Sequence, residues 1–235
     1  MTYDFERRIL IMEENNVKRL PLIGEPAPHF EAVTTNGPIS FPEDYKGKWA
    51  ILFSHPADFT PVCTTEFITF ARMQEEFAEI NTELIGLSVD GLQAHIAWIR
   101  SMKDIEFRGE KGADVRFPVI VDISMDVSEK YGMIQPAQST TSAVRAVFVV
   151  DPEGIIRTIL YYPQELGRNF DEIKRIVQGL QKADEGFALP ADWRPGEPVI
   201  IPPANTVEKA EKSANLDEDG VRAETWWLVF KDEDK

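Results

Sequence analysis

The stretch from Trp49 to Phe67, WAILFSHPADFTPVCTTEF, decides how the rest of the chain is read. It opens with a compact apolar run, WAILFS, bounded by charge before it and by Pro56 after it, the pattern of a buried strand. The chain then turns through His55-Pro56-Ala57-Asp58 and arrives at Thr60-Pro61. Threonine suits an N-cap, and proline suits the first helical position, where its missing N–H has no partner to lose. A helix is therefore predicted from Pro61, with Phe67, Phe70, Met73, Phe77 and Ala78 largely on one face. A strand leading through a turn into a helix points to a layered α/β protein.

The same stretch holds the chain's single cysteine, Cys63. In a first helical turn, free backbone N–H groups and the helix dipole favour an anion, so this position favours a thiolate, with its sulfur exposed at the end of a strand. An unperturbed thiol is only about 3% ionised at neutral pH, so complete ionisation gains about thirty-fold. Part of that gain is lost, because nucleophilicity falls as the thiol becomes more acidic. Ionisation alone does not make a fast enzyme. The site must also hold a substrate and stabilise charge that develops in the transition state. Hydrogen-bond donors beside the sulfur are needed, and Thr60 is one candidate.

Working outward, LIGLSVD (84–90) and FPVIVD (117–122) read as further buried strands. AVRAVFVVD and IIRTILYY flank the turn signal Asp151-Pro152-Glu153-Gly154, which predicts a β-hairpin. LQAHIAWIRSM and NFDEIKRIVQGLQ are helical, the second with Asn169 and Glu172 as a capping pair. LPLIGEPAPHFEAVTTNGPISF, rich in Pro and Gly, reads as loops with short extended pieces. Residues up to about Arg19 read as a short amphipathic segment, with Ile9, Leu10 and Met12 as its apolar contacts. Beyond Ala183 the chain turns proline-rich and then mostly polar, which suggests an arm laid over the domain or over a partner subunit. The expected organisation is an N-terminal extension (1–19), an α/β domain (20–183) and a C-terminal arm (184–235).

Composition narrows the function. The chain of 235 residues has 43% hydrophobic and 28% charged residues, as expected of a soluble globular protein. Its formal net charge of −15 argues against a nucleic-acid partner and against attraction to an anionic membrane surface. One cysteine makes no internal disulfide, the charged start MTYDFERRIL is unlike a secretory segment, and no apolar stretch is long enough to cross a bilayer. A cytoplasmic location is expected. Dinucleotide fingerprints, phosphate loops and clustered metal ligands do not appear in the sequence.

Pro56, Thr60 and Cys63 are spaced as Pro-x-x-x-Thr-x-x-Cys, which resembles the active-site motif of the peroxiredoxins. The longer string SHPADFTPVCTTE is similar to the one-cysteine, peroxiredoxin-six-like subfamily. The resemblance continues through LIGLSVD, VRAVFVVD, ILYYP, ELGRNFDEI and PADW, from about Leu20 to Trp227. It implies a thioredoxin-like α/β fold, a central mixed sheet flanked by helices, with a C-terminal extension for dimerisation. It also implies a thiol-dependent peroxidase acting on hydrogen peroxide and alkyl hydroperoxides, with no metal or bound cofactor because sulfur carries the chemistry.

Roles carry over position by position. The resemblance makes Cys63 the peroxidatic nucleophile, oxidised to a sulfenic acid. Thr60 hydrogen-bonds peroxide and thiolate, and Pro56 shields the sulfur from bulk water. Arg145 polarises the O–O bond and stabilises the thiolate, Arg168 supports that cluster, and His55 lines the pocket. Relatives of this kind build dimers that often close into rings, so a homo-oligomer, a decamer, is expected. Some carry further cysteines near the C-terminus, where this chain has Ala223 and Val229, so an external thiol such as thioredoxin or glutathione must reduce Cys63. The alternative is a non-enzymatic redox sensor or holdase chaperone switched by oxidation of Cys63.

Other features read as structural. His95 lies in an apolar helix and His29 in a proline-rich loop. Around Ser88, GLSVDG is similar to a nucleophile elbow, but Asp90 stands where the second glycine belongs. The phospholipase activity credited to certain animal peroxiredoxins uses a Gly-x-Ser-x-Gly segment and a histidine. YKGKWAILF lacks that serine and Pro42 lies near the expected histidine, so lipase activity is not expected. Trp226 and Trp227 read as an interface or core anchor.

Overall fold

The computed structural model describes residues 20–213 and 219–233, so the amphipathic segment expected before Arg19 lies outside the described residues. These residues form two compact units, one ending at Arg168 and the other beginning at Asn169.

In the first unit, β1 (Phe30–Thr34) and β2 (Gly37–Phe41) pair as a hairpin where the sequence suggests only loops with extended pieces. Its turn signal is Asn36-Gly37, with Gly37 at φ +108, a conformation that favours glycine. Next come β3 (Trp49–Ser54), α1 (Pro61–Glu79), β4 (Thr82–Ser88) and α2 (Leu92–Ser101). A short ribbon, β5 (Glu106–Phe107) and β6 (Glu110–Lys111), leads to β7 (Val119–Val121) and α3 (Asp126–Lys130). The predicted hairpin forms as β8 (Arg145–Val150) and β9 (Ile156–Tyr162), joined through the Asp151–Gly154 turn.

The main strands build a seven-stranded mixed sheet in the order β2-β1-β7-β4-β3-β8-β9. β3, the strand expected from WAILFS, lies near its centre, parallel to β4 and antiparallel to β8. All six of its residues are buried, which is why its sequence is continuously apolar instead of alternating.

Alternation along β3 and β8 then assigns two faces. Ala50, Leu52, Ala146 and Phe148 join one apolar core with Phe41 and Tyr131. Phe53 turns to the opposite face, where its ring meets Phe67 and Phe70 of α1 at centroid distances of 5.5 and 4.5 Å. Gly86 of β4 permits that approach, since a Cβ there would sit 3.1 Å from the Phe67 ring. Fully burying each such phenylalanine contributes about 1.5–3 kcal/mol. Two of the five residues assigned to that helix face differ from expectation. Ala78 is exposed and Met73 half-buried, whereas Phe77, in the same last turn as Ala78, is fully buried against Phe70.

The second unit begins with Asn169, whose side chain accepts from the Glu172 backbone N–H at 3.3 Å and caps α4 (Phe170–Asp184), as the sequence predicts. Trp193 packs against Gly179 of this helix, and its indole N–H donates to the Glu197 carbonyl at 3.0 Å. The remaining chain forms β10 (Val199–Ile201), α5 (Val207–Ser213), β11 (Val221–Thr225) and β12 (Leu228–Lys231), the strands pairing in the order β10-β12-β11. Trp226 and Trp227 occupy the turn between β11 and β12 and are 44% and 51% exposed, so the core-anchor reading of this pair is wrong. Among the described residues, no helix is long and apolar enough to cross a membrane.

Candidate active site

β3 delivers the chain to the site. Past Ser54 the His55 backbone N–H still donates to the Leu87 carbonyl at 2.9 Å, which extends the strand ladder by one residue. The Ser54 hydroxyl donates to the Val144 carbonyl at 2.6 Å and accepts from the Ala146 N–H at 3.0 Å, pinning the start of β8 beside the end of β3. This brings Arg145 next to the first turn of α1.

Pro61 occupies the helix start as expected. Thr60 stands at the N-cap with extended backbone but makes no side-chain cap, contrary to the sequence reading. Its hydroxyl donates instead to the Ala57 carbonyl at 2.9 Å, across the turn. A carbonyl only accepts, so the Thr60 proton is committed there and its oxygen is left as an acceptor. The expectation that Thr60 supplies a donor is corrected accordingly.

Cys63 is 0% exposed, so the expected exposed sulfur is also corrected. Helical periodicity explains it: Cys63, Glu66, Phe67 and Phe70 share the inward face of α1, at spacings of three, four and seven. The sulfur is not enclosed by hydrocarbon alone. Arg145 Nη1 donates to its Sγ at 3.3 Å and to Glu66 Oε2 at 2.8 Å. Arg145 Nε and Nη2 both donate to the Gln164 carbonyl, at 2.9 and 2.6 Å, fixing the guanidinium plane. One of its five hydrogens, on Nη2, then has no partner among the described residues.

Arg168 completes the cluster. Its Nε and Nη2 grip the two oxygens of Glu66 at 2.9 and 2.7 Å, and its backbone N–H adds a third bond at 2.8 Å. Nη1 donates to the Ala146 carbonyl at 2.9 Å, and the guanidinium lies 5.2 Å from the Phe53 ring centroid. Burial pushes the Glu66 carboxyl up, but the charges and hydrogen bonds of Arg168, and then of Arg145, hold it below the usual carboxylate range. Two guanidiniums therefore face one carboxylate and one sulfur in a buried site.

Glu66 is the residue the sequence reading missed. Its signal was present three positions after Cys63 in the same string, one helical turn along the same face. Pro56 is buried in the turn after β3. His55 is fully buried, its ring stacked on Trp98 at 5.0 Å and edge-on to Phe67 at 4.7 Å, with Nε2 hydrogen-bonded to Asp58 at 2.9 Å. Burial pushes His55 below its ordinary value, against the opposing pull of Asp58. His95 is buried as well, whereas His29 is exposed and pairs with Glu43. The Ser88 hydroxyl donates to Asp90 at 2.7 Å, as a structural serine does.

His55, Asp58 and Asp90 bring donor atoms within 4.8 Å of one another, a spacing that could suit a metal ion. Both Asp58 oxygens already accept from imidazoles, and Asp90 Oδ2 accepts from Ser88 and from the Asp58 N–H. That grouping is a hydrogen-bonded network.

A thioredoxin-like sheet that presents one buried sulfur to a guanidinium defines a thiol-based redox protein. The comparisons with known proteins sharpen the class. Residues 23–159 match the AhpC/TSA family, and residues 179–214 match the C-terminal domain of 1-Cys peroxiredoxin. A peroxiredoxin of Methanosarcina mazei is 61% identical over 90% of this chain and 98% of its own, and one of Aquifex aeolicus is 51% identical over 92% and 98%. Among solved structures, the yeast mitochondrial 1-Cys peroxiredoxin superposes with a TM-score of 0.78 at 37% identity, covering 91% of this chain and all of that one (100%). A cysteine-to-serine mutant of the peroxiredoxin 6 of Arenicola marina gives 0.77 at 33%, covering 91% and 99%. The chain belongs to the peroxiredoxin family, and with its single cysteine it is a thiol-dependent peroxidase.

Proposed function

We propose that Cys63 is the peroxidatic residue and that it reduces hydrogen peroxide and alkyl hydroperoxides. The observation that carries this reading is the 3.3 Å contact between Arg145 Nη1 and Cys63 Sγ inside a buried cluster of two arginines and one glutamate. With one carboxylate for two guanidiniums, a thiolate is the charge that balances the cluster.

The thiolate attacks the terminal peroxide oxygen. The S–O bond forms as the O–O bond breaks, and the leaving oxygen takes a proton to depart as water or an alcohol. Arg145, through its free Nη2 hydrogen, stabilises the charge that moves onto that oxygen. The Thr60 oxygen accepts the peroxide O–H, the backbone N–H groups of the first helical turn add positive potential, and Pro56 keeps bulk water from the sulfur. Arg168 and Glu66 hold Arg145 in place, and His55 forms part of the pocket wall.

With no second cysteine, the sulfenic acid condenses with an external thiol, of thioredoxin or glutathione, to a mixed disulfide and water. A second thiol of that reductant then attacks the disulfide, leaves oxidised and returns Cys63 to the thiolate. The yeast relative has been described in terms of thiol resolution via glutathione and thioredoxin systems. A sulfur with no exposed surface cannot meet a protein thiol, so the first turn of α1 opens in the oxidised state. We assign catalysis to residues 20–183, place a dimerisation arm at 184–235, and propose a dimer-based homo-oligomer, a decamer, in the cytoplasm.

Stopped-flow peroxide reduction by wild type and Cys63→Ser, with thioredoxin and glutathione supplied separately, tests this. Continued turnover by wild type and none by Cys63→Ser supports the peroxidase. A single stoichiometric oxidation with no donor able to sustain turnover identifies a sensor instead.

A further inference from the structure

Asp58 lies buried between two imidazole rings. His55 Nε2 is 2.9 Å from its Oδ1 and His95 Nδ1 is 2.8 Å from its Oδ2, with side-chain exposures of 0% for both rings and 1% for the carboxyl. On its other side, His95 Nε2 faces the Ile120 carbonyl at 3.2 Å. A carbonyl oxygen only accepts, so Nε2 of His95 carries a hydrogen. A neutral imidazole has one N–H, so a neutral His95 would turn a bare Nδ1 lone pair toward a bare carboxylate oxygen. Two acceptors at 2.8 Å repel unless a proton lies between them.

That proton belongs to the ring, because a carboxylic acid is a far stronger acid than an imidazolium. Asp90 reinforces the choice. Its Oδ2 accepts the Asp58 backbone N–H at 3.0 Å and the Ser88 hydroxyl at 2.7 Å, placing a second carboxylate beside the network. His55 is then the neutral ring, with its hydrogen on Nε2 toward Asp58 and a bare Nδ1 that has no partner among the described residues.

We propose that Asp58 and a doubly protonated His95 form a buried ion pair that positions the Pro56–Thr60 loop over the nucleophile. Both are positioning residues, and neither touches the sulfur in this structure. The proposal rests on the reading of Cys63 as the reacting atom.

The connections join the loop to two further elements. Asp58 sits in the loop, His95 on α2, and Ile120 on β7. Three residues beyond His95, Trp98 donates its indole N–H to Thr64 at 3.2 Å, and the Thr64 hydroxyl donates to the Thr60 carbonyl at 2.7 Å. One face of α2 thus grips both the loop and the residue that follows Cys63. Between Asp58 and Thr60, Phe59 adopts φ +56, a left-handed conformation that is costly for a bulky side chain, and the residue is 60% exposed. Burial of its own ring does not hold it there. The anchors on either side do: Asp58 through the two imidazoles, and Thr60 through Ala57.

The test reads protonation and rate together on the full chain. The protein has three histidines, so nitrogen-15 spectra of histidine-labelled protein are tractable, and His29→Gln removes the exposed one. At neutral pH, His95 is expected to show both ring nitrogens protonated and His55 only Nε2. Asp58→Asn removes the counter-charge, strips one proton from His95, and slows peroxide reduction by up to about a hundredfold in a protein that still melts cooperatively. His95→Gln keeps an amide N–H for Asp58 without charge and is slowed as well.

A bare ring nitrogen on wild-type His95 overturns the ion pair, and this spectrum decides it even where the substitutions prevent folding. A folded Asp58→Asn protein that reduces peroxide at the wild-type rate overturns the positioning role. Cys63→Ser separates the two readings: if it still reduces peroxide, the assignment of Cys63 fails while the proton count on His95 stands.

Discussion

Arg145 and Cys63 are 82 positions apart in the chain, yet Nη1 of one lies 3.3 Å from Sγ of the other. The contact depends on Gln164, whose carbonyl holds the rest of the guanidinium, and on Glu66, which shares Nη1 with the sulfur. A fixed donor of this kind acts on charge as it develops and needs no reorganisation at the moment of reaction.

Arg145→Ala is therefore expected to lower the second-order rate constant for peroxide reduction by about 100- to 1,000-fold. Single-turnover stopped-flow measurements under excess peroxide read this directly. A loss of less than about tenfold would remove Arg145 from the bond-breaking step.

Glu66→Ala leaves two buried guanidiniums without their shared carboxylate. Breaking a buried pair on one side costs about 3–5 kcal/mol, because the remaining charge has no partner. Denaturant melts should show that loss, with Glu66→Gln milder because its amide oxygen still accepts from Arg168. Equal stability of wild type and Glu66→Ala would show that the cluster is solvated.

Acid should destabilise the fold in two stages. Burial keeps His55 below its ordinary value of 6.5, so the unfolded chain takes up that proton first as pH falls. Burial also pushes Asp58 and Glu66 up, but hydrogen bonds from His55 and His95 in one case, and Arg168 with Arg145 in the other, hold both below 3.8 and 4.5. For each group the unfolded state binds the extra proton, so stability rises with pH. The carboxylate contribution is complete above those ordinary values and is lost as pH falls through the lower folded ones. Melting temperature measured across an acid series is expected to decline gently below about 6.5 and steeply below about 4.5. A rise on acidification below about 4.5 would contradict the assignment.

Thr60→Val removes the oxygen offered to the peroxide and the bond to Ala57. A hydrogen bond to a charged or reacting group is worth about 1.5–3 kcal/mol, or about ten- to a hundredfold in rate. Thr60→Ser keeps both contacts and should retain most of the activity. Were valine as fast as serine, Thr60 would have no part in binding peroxide.

Oxidation should loosen the start of α1. Hydrogen exchange at Thr60–Glu66 is expected to be faster in the sulfenic form than in the reduced protein, because a fully buried sulfur must reach an external thiol. Identical protection in both forms would mean that reduction proceeds through a small donor entering the closed pocket.

Local chemistry made part of this protein legible in its sequence. Pro61 announced the helix start, WAILFS the central strand, and Asp151–Gly154 the β8–β9 hairpin, because each depends on neighbours a few residues away. The β1–β2 hairpin was harder to read: Pro38 inside the second strand masks its pattern, although Asn36-Gly37 marks the turn. Resemblance supplied Arg145 and Arg168, and nothing in spacing or periodicity would have chosen them among the other arginines.

Sequence alone determined that a lone cysteine begins a helix after a buried strand, since proline geometry and apolar patterning act over single turns. Only the tertiary structure decided that the sulfur is buried, that the Thr60 hydroxyl turns to Ala57, and that Glu66 binds Arg168 from 102 positions away. The reason is physical. Buried charges are tolerated only when opposite charges and hydrogen bonds meet them, and which groups meet is set by strand order and helix face rather than by distance along the chain.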